Sequence, residues 1–163
     1  MSLFARQVYW TTRVFNGIAA AAITGMMLLT CSDVLLRFLR RPIPGTYEMV
    51  GFLGALGVSF ALAHTSLERG HIAVDFLVQR LPERLQTLVD GINALVCAVL
   101  FGLAAWHSLR YGMDLKAAGE VSMTLQLPVF PFVWGVAAGC GMLTVVLAMR
   151  AFGALLRLTS QRP

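Results

Sequence analysis

Residues Val14–Leu36 have the sequence VFNGIAAAAITGMMLLTCSDVLL, in which Asp33 is the first charged side chain. An α-helix of about 20 apolar residues, rising 1.5 Å per residue, crosses the roughly 30 Å hydrocarbon core of a bilayer. A lipid-exposed strand would leave its backbone N–H and C=O groups unpaired, so a helix is expected. The run is longer than the apolar region of a cleaved signal peptide and has no clear cleavage site, so we interpret it as an uncleaved membrane span.

Three further apolar runs of similar length follow this one. Only 13% of the residues are charged, about half the fraction found in soluble domains, which leaves too little polar surface for a water-soluble globule. The sequence therefore predicts an all-α, polytopic membrane protein with four transmembrane helices in a single domain over residues 1–163. The predicted spans are approximately 14–36, 47–67, 85–109 and 131–151.

The basic residues predict the orientation of these spans. The net charge of +5 is spread over the ends of the apolar runs and forms no single patch, which argues against nucleic acid as a partner. With the N-terminus in the cytoplasm, eight Lys and Arg residues lie on the cytoplasmic side and five on the outer side. Because basic residues concentrate on the cytoplasmic side of membrane proteins, we predict that both termini are cytoplasmic.

The connection between the second and third spans has an amphipathic pattern. Ile72, Phe76 and Leu81 fall on one helical face, and Asp75 and Gln79 lie opposite, four residues apart. We predict a short amphipathic helix that lies in the cytoplasmic membrane interface.

Small residues recur four positions apart in the predicted helices. Such stripes let helix backbones approach closely, which matters in lipid because no hydrophobic force drives helices together. Packing within the chain is the favoured interpretation, and contact with a partner protein is the alternative. The helix-packing candidates are Gly17, Ala21, Gly25, Gly51, Ala55, Ser59, Gly135 and Gly139.

The acidic residues of the spans lie near their ends. Asp33 and Arg37 are four apart on one helical face and can pair, and Glu48 could meet Arg37, Arg40 or Arg41 across the proline-containing turn that follows. A buried ionisable residue at mid-depth would indicate a transport pathway. None is present, so we expect a cluster of structural ion pairs and no ion pathway confined to this chain.

Catalytic, metal-binding and substrate-binding motifs are absent from the sequence, and we expect no enzyme activity and no cofactor. The three cysteines (Cys31, Cys97 and Cys140) fall inside apolar runs without paired spacing and indicate packing residues. The main alternative function is a haem-binding or quinone-reductase-type membrane anchor. His64 and His107 are its candidate ligands, but the predicted topology separates them by most of the bilayer. A small autonomous exporter is a further alternative, against which the lack of a mid-span acid argues.

Several motifs together resemble a known family. Residues 32–37 (SDVLLR), 42–48 (PIPGTYE) and 70–75 (GHIAVD), followed by 125–128 (LQLP), a group of aromatics and a fourth span, are similar to the small membrane subunit of TRAP transporters, the DctQ-type family. The resemblance covers nearly the whole chain in order.

The resemblance implies a role in ion-gradient-driven uptake, typically sodium symport, of an organic acid across a bacterial inner membrane. The implied partners are a large multi-span permease subunit, for which the small subunit is a scaffold, and a periplasmic substrate-binding protein; membrane lipid surrounds the complex. Two groups of residues follow by position. The structural or interface candidates are Asp33, Arg37, Pro44, Glu48, His71 and Asp75. The periplasmic docking candidates are Arg40, Arg41, Arg110 and Lys116.

Overall fold

The computed structural model describes residues 3–67 and 82–160, which form four long helices and two short connections. All four helices are long and apolar enough to cross a membrane, which confirms the predicted all-α class with four transmembrane helices. The predicted amphipathic helix, with His71 and Asp75, lies outside the described residues. The helices are α1 (Leu3–Phe38), α2 (Thr46–Leu67), α3 (Glu83–Ala118) and α4 (Phe130–Ser160).

The helices differ in length. α1 and α3 have 36 residues each, about 54 Å, whereas α2 has 22 residues, about 33 Å. α1, α3 and α4 extend well past the predicted spans. The reason is that a charged side chain ends an apolar run without ending the backbone hydrogen bonding of a helix. α3 ends where Gly119 takes a left-handed conformation (φ 66°) and its N–H turns back to the carbonyls of Leu115 and Lys116.

The helices stand in an open row in the order α1, α2, α4, α3. α2 packs against α1 on one side and α4 on the other, and α4 packs in turn against α3. α1 touches α4 only slightly, and α3 forms no comparable interface with α1 or α2 within the described residues. The four helices do not close into a bundle, so α1 and α3 are the two free edges of the row.

The contact between α2 and α4 depends on two glycines of α4. A Cβ atom at Gly139 would lie 2.6 Å from the carbonyl oxygen of Ser59, and one at Gly135 would overlap the side chain of Leu56. Close to Gly135, the rings of Phe52 and Phe132 stack with centroids 4.2 Å apart. The two backbones can approach this closely only because α4 has no side chains at these positions.

Not all of the small residues with regular spacing show close packing among the described residues. Gly25 meets Leu53 at ordinary contact distance, and Ser59 is buried. By contrast, no atom of a neighbouring described residue lies within 4 Å of a Cβ position at Gly17 or Gly51, and Ala21 and Ala55 are exposed. For these four residues the described part of the chain shows no close packing, so packing within the chain stays a prediction; a four-residue spacing identifies a helix face but not its neighbour. That they face a partner stays a prediction.

Candidate functional site

Both described connections lie at the same end of the row and touch each other. The α1–α2 connection comprises residues 39–45 and the α3–α4 connection residues 119–129. Gly45 has a positive φ of 76°, and a Cβ atom there would overlap the side chain of Leu125. Glycine meets both the conformational and the steric requirement. We call this part of the molecule the connection end.

The first polar cluster of the connection end surrounds Asp33. Its Oδ2 accepts hydrogen bonds from Arg37 Nη2 at 2.7 Å and Nε at 3.3 Å, and its Oδ1 accepts one from the backbone N–H of Ile43 at 3.0 Å. The ion pair that the i, i+4 spacing predicts is therefore present. Asp33 is buried, whereas the Arg37 side chain is half exposed and lies over the Tyr47 ring. The Asp33 carboxylate therefore links the turn that follows α1 to the last part of α1 itself. We call this group the Asp33 cluster (Asp33, Arg37, Ile43).

The turn itself places two arginines on the surface. Arg40 takes a left-handed conformation (φ 58°), which ends α1 sharply, and both Arg40 and Arg41 are exposed. Pro44 is also exposed and lies in the turn just before α2. At the start of α2, the Thr46 hydroxyl donates a hydrogen bond to the Ile43 carbonyl at 3.0 Å. The turn is therefore fixed by backbone geometry and two side-chain bonds.

The second polar cluster surrounds Glu48 and joins α2 to the α3–α4 connection. Its carboxylate accepts hydrogen bonds from the Ser122 hydroxyl at 2.6 Å, the Thr124 N–H at 2.9 Å and the Leu125 N–H at 3.2 Å. The prediction that Glu48 meets one of the arginines of the first turn is wrong. Three donors of a loop that is more than 70 residues away hold it instead, since the two connections lie side by side. We call this group the Glu48 cluster (Glu48, Ser122, Thr124, Leu125).

The α3–α4 connection is also held by backbone hydrogen bonds within itself. Val121 and Pro128 form an isolated antiparallel bridge, and the Ser122 N–H donates to the Leu127 carbonyl at 2.8 Å. Gln126 takes a left-handed conformation (φ 54°) to close the loop. Non-glycine residues rarely adopt this conformation, so the surrounding bonds must hold it in place.

The other two predicted docking residues have different surroundings. The Lys116 Nζ lies 5.4 Å from the ring centroid of Trp134 and 5.7 Å from that of Phe130. These distances permit cation–π attraction between α3 and α4. The Arg110 guanidinium lies 5.1 Å from the Trp106 ring, one turn earlier on the same helix. Of the four predicted docking residues, only Arg40 and Arg41 lie on a connection.

The structure does not bring the two candidate haem ligands together. His64 lies in the last turn of α2, at the end away from the connections, and His107 is exposed on α3, which forms no extensive interface with α2 within the described residues. Within residues 3–67 and 82–160, no group of three His, Cys, Asp or Glu side chains is placed to hold a metal ion. Neither finding supports the haem-anchor alternative.

Sequence reasoning missed the three donors of the Glu48 cluster. Ser122 and Thr124 are unremarkable polar residues in a loop, and the backbone N–H of Leu125 leaves no trace in the sequence. The one available signal was an acidic residue in the first turn of α2, where it could have been assigned to the helix dipole alone.

Comparison with known proteins identifies the family. The family model described as "Tripartite ATP-independent periplasmic transporters, DctQ component" matches residues 26–157, most of the chain. The match includes the Asp33 and Glu48 clusters and begins within α1. Neither a curated protein nor a solved structure matched the chain. The members of this family are components of transporters, and the family is not one of enzymes. The chain therefore belongs to the DctQ component family of tripartite ATP-independent periplasmic transporters, whose members are the small membrane subunits of these systems.

Proposed function

We propose that this chain is a scaffold that holds the large transporting subunit in the bacterial inner membrane, with both termini in the cytoplasm and the connection end in the periplasm. There it forms part of the docking surface for the substrate-binding protein. The observation that carries the proposal is the open row of helices. A row has two faces and two free edges for a larger partner, whereas a closed bundle would bury most of its own contact surface.

The charge distribution supports a role without transport through the chain itself. Residues 14–32, 49–67, 91–109 and 121–149 contain no Asp, Glu, Lys or Arg. A transport pathway for an organic acid and its coupling ion usually needs ionisable or polar groups at mid-depth. We infer that the large subunit carries out ion-gradient-driven uptake, with sodium as the expected coupling ion and an organic acid as the expected substrate.

Co-purification tests the scaffold role. A tag on this chain should recover the large multi-span subunit from detergent-solubilised membranes in a fixed ratio, and removal of this chain should abolish uptake in proteoliposomes that contain the large subunit and the binding protein. Full uptake without this chain would contradict the proposal.

Cysteine labelling tests the orientation. In a chain whose native cysteines are replaced, Arg41→Cys should react with a membrane-impermeant maleimide added to the periplasmic side. Gln79→Cys, in the predicted amphipathic helix outside the described residues, should react only from the cytoplasmic side. Labelling of both from the same side would overturn the topology and the docking role that depends on it.

Charge neutralisation tests whether the four basic docking candidates contribute to docking of the binding protein. Arg40, Arg41, Arg110 and Lys116 could supply charge complementary to an acidic binding protein. Replacing all four by glutamine should reduce uptake at limiting concentrations of the binding protein. Unchanged uptake over a range of these concentrations would contradict a docking role for this set of charges.

A further inference from the structure

The connection end exposes apolar side chains beyond the predicted reach of the lipid tails. Met123 is 95% exposed and Leu39 is 67% exposed, and both lie outside the candidate spans. Val121 and Leu127, on either side of Met123 in the same connection, are about two-fifths exposed. Exposed apolar side chains within the spans are accounted for by lipid, but those on the connections are not. Clustered apolar exposure outside the bilayer is a feature of interaction surfaces.

Met123 is held in its exposed position by its neighbours. The residues on both sides of it, Ser122 and Thr124, are bonded to the Glu48 carboxylate, through a hydroxyl and a backbone N–H respectively. The Ser122 N–H is also bonded to Leu127 across the loop. The backbone at Met123 is therefore fixed at two points, and its side chain projects outward. A contact residue that is ordered before binding loses little conformational entropy when a partner covers it.

The two connections, which touch each other, carry three exposed charged residues: Arg40 and Arg41 on the first and Glu120 on the second. Arg40 and Arg41 are exposed and follow Leu39 directly. Their neighbour Arg37 is paired with Asp33. The Glu48 carboxylate already accepts three hydrogen bonds. Glu120 is the exposed acid of the α3–α4 connection. A partner complementary to this surface would place acidic groups opposite Arg40 and Arg41 and an apolar recess opposite Met123.

We propose that Met123 is the central apolar contact of the docking surface, with Arg40 and Arg41 as its electrostatic rim, and that its occupant is a soluble periplasmic protein with an acid-rimmed apolar recess. This inference rests on the proposed function and narrows the docking residues from four basic side chains to two arginines and a methionine. Arg110 and Lys116 are excluded from it, because each lies on α3 against aromatic rings and not on a connection.

A binding measurement with matched variants tests the proposal. The complex of this chain with its large subunit is placed in lipid nanodiscs, and binding of its substrate-binding protein is followed by biolayer interferometry. Met123→Ser is compared with Met113→Ser, which alters an exposed methionine on α3 within the candidate span. Loss of a buried methionine contact should weaken binding about tenfold for Met123→Ser. Met113→Ser should bind like the unaltered complex.

The arginines have a separate readout. Arg40→Ser combined with Arg41→Ser should slow association severalfold at low salt and flatten its salt dependence, because rim charges act mainly on the rate of encounter. Arg13→Ser, which alters an exposed arginine towards the opposite end of α1, is the control and should leave both quantities unchanged. Equal behaviour of the double variant and the control would overturn the rim assignment.

Chemical accessibility distinguishes a protein occupant from a lipid surface or the large subunit. In a chain without its native cysteines, Met123→Cys in the assembled complex should react quickly with a water-soluble maleimide, and the binding protein should protect it. Slow reaction in the absence of the binding protein would place the side chain in lipid or against the large subunit and would overturn the proposal.

The outcomes also separate this inference from the proposed function. If the unaltered complex binds the protein and Met123→Ser binds equally well, the inference fails and the docking role stands. If the unaltered complex does not bind the protein at all, the docking role itself fails.

Discussion

The connection end and the lipid-embedded middle of the helix row hold their helices together in different ways. At the connection end, two carboxylates accept six hydrogen bonds from five residues: two from a guanidinium, one from a hydroxyl and three from backbone amides of the two connections. In the middle, contact depends on shape: Gly135 and Gly139 let α4 approach α2, and Gly57 lets α2 approach α1. Close packing sets the separation of the helices, and directional bonds set the positions of the connections.

This difference follows from the two environments. Lipid tails offer no hydrophobic force between helices, so contacts in the middle depend on van der Waals packing at short range. At the connection end, water competes for hydrogen bonds, and a carboxylate with several donors remains effective because each bond is charge-assisted. Substitutions in the middle should therefore act on the assembly of the row, and substitutions at the connection end on the arrangement of the connections.

The largest loss of stability is expected for Gly139→Ala. The new Cβ atom would lie 2.6 Å from the Ser59 carbonyl oxygen, so α2 and α4 must separate. Overpacking of this kind should cost about 3 kcal/mol, measured as the loss of unfolding free energy in detergent micelles. Gly141→Ala is the matched control, because no described atom lies within 4 Å of its Cβ position. Equal stability of the two variants would show that the α2–α4 contact is looser than described.

The second-largest loss of stability is expected for Glu48→Ala. Removal of the carboxylate leaves the Ser122 hydroxyl and two backbone N–H groups without their acceptor, which should cost about 2 kcal/mol. The α3–α4 connection should also become sensitive to limited proteolysis while the helices stay folded. Glu120→Ala, an exposed acid in the same connection, is the control. Protease resistance equal to that of the control would contradict a holding role for Glu48.

A graded effect is expected at Asp33. Asp33→Asn keeps an acceptor for the Ile43 N–H but loses the charge opposite Arg37, so we expect a loss of about 1 kcal/mol. Asp33→Ala removes both interactions and should cost about 2 kcal/mol. Thermal unfolding of the two variants under identical detergent conditions measures the difference. If the asparagine variant is as unstable as the alanine variant, the ion pair and not the Ile43 bond is the important interaction.

The smallest effect is expected for Lys116→Gln. Loss of cation–π contact with Phe130 and Trp134 should cost about 0.5–1 kcal/mol, because the ammonium group remains exposed. Arg110→Gln is the control, since its aromatic neighbour Trp106 is on the same helix and contributes nothing to the α3–α4 contact. A difference in unfolding midpoint between the two variants measures what the interhelical contact adds. Equal unfolding midpoints would show that Lys116 contributes nothing to the α3–α4 contact.

Local features of the sequence predicted much of the fold. Apolar run length was sufficient for the four helices, and an i, i+4 spacing was sufficient for Asp33 and Arg37, because both depend on helix geometry alone. The partners of Glu48 depend on how two distant connections meet, and no single sequence carries that information. The same limit applies to the small residues: Gly17 and Gly139 look alike in spacing, but only the order of the helices determines that one faces outward and the other faces α2.

The order of helices in the row also has a consequence for how the protein is made. Synthesis runs from the N-terminus, so α3 enters the membrane before α4 exists. At that stage α3 lacks its main packing partner among the described helices, since its extensive interface in the finished protein is with α4. The Glu48 carboxylate likewise has no donors until residues 122–125 have been made. The Glu48 bonds therefore form before α4 is made, and the interface between α2 and α3 through α4 forms last; a chain that stops before Gly119 would lack both links between α3 and the α1–α2 pair within the described residues.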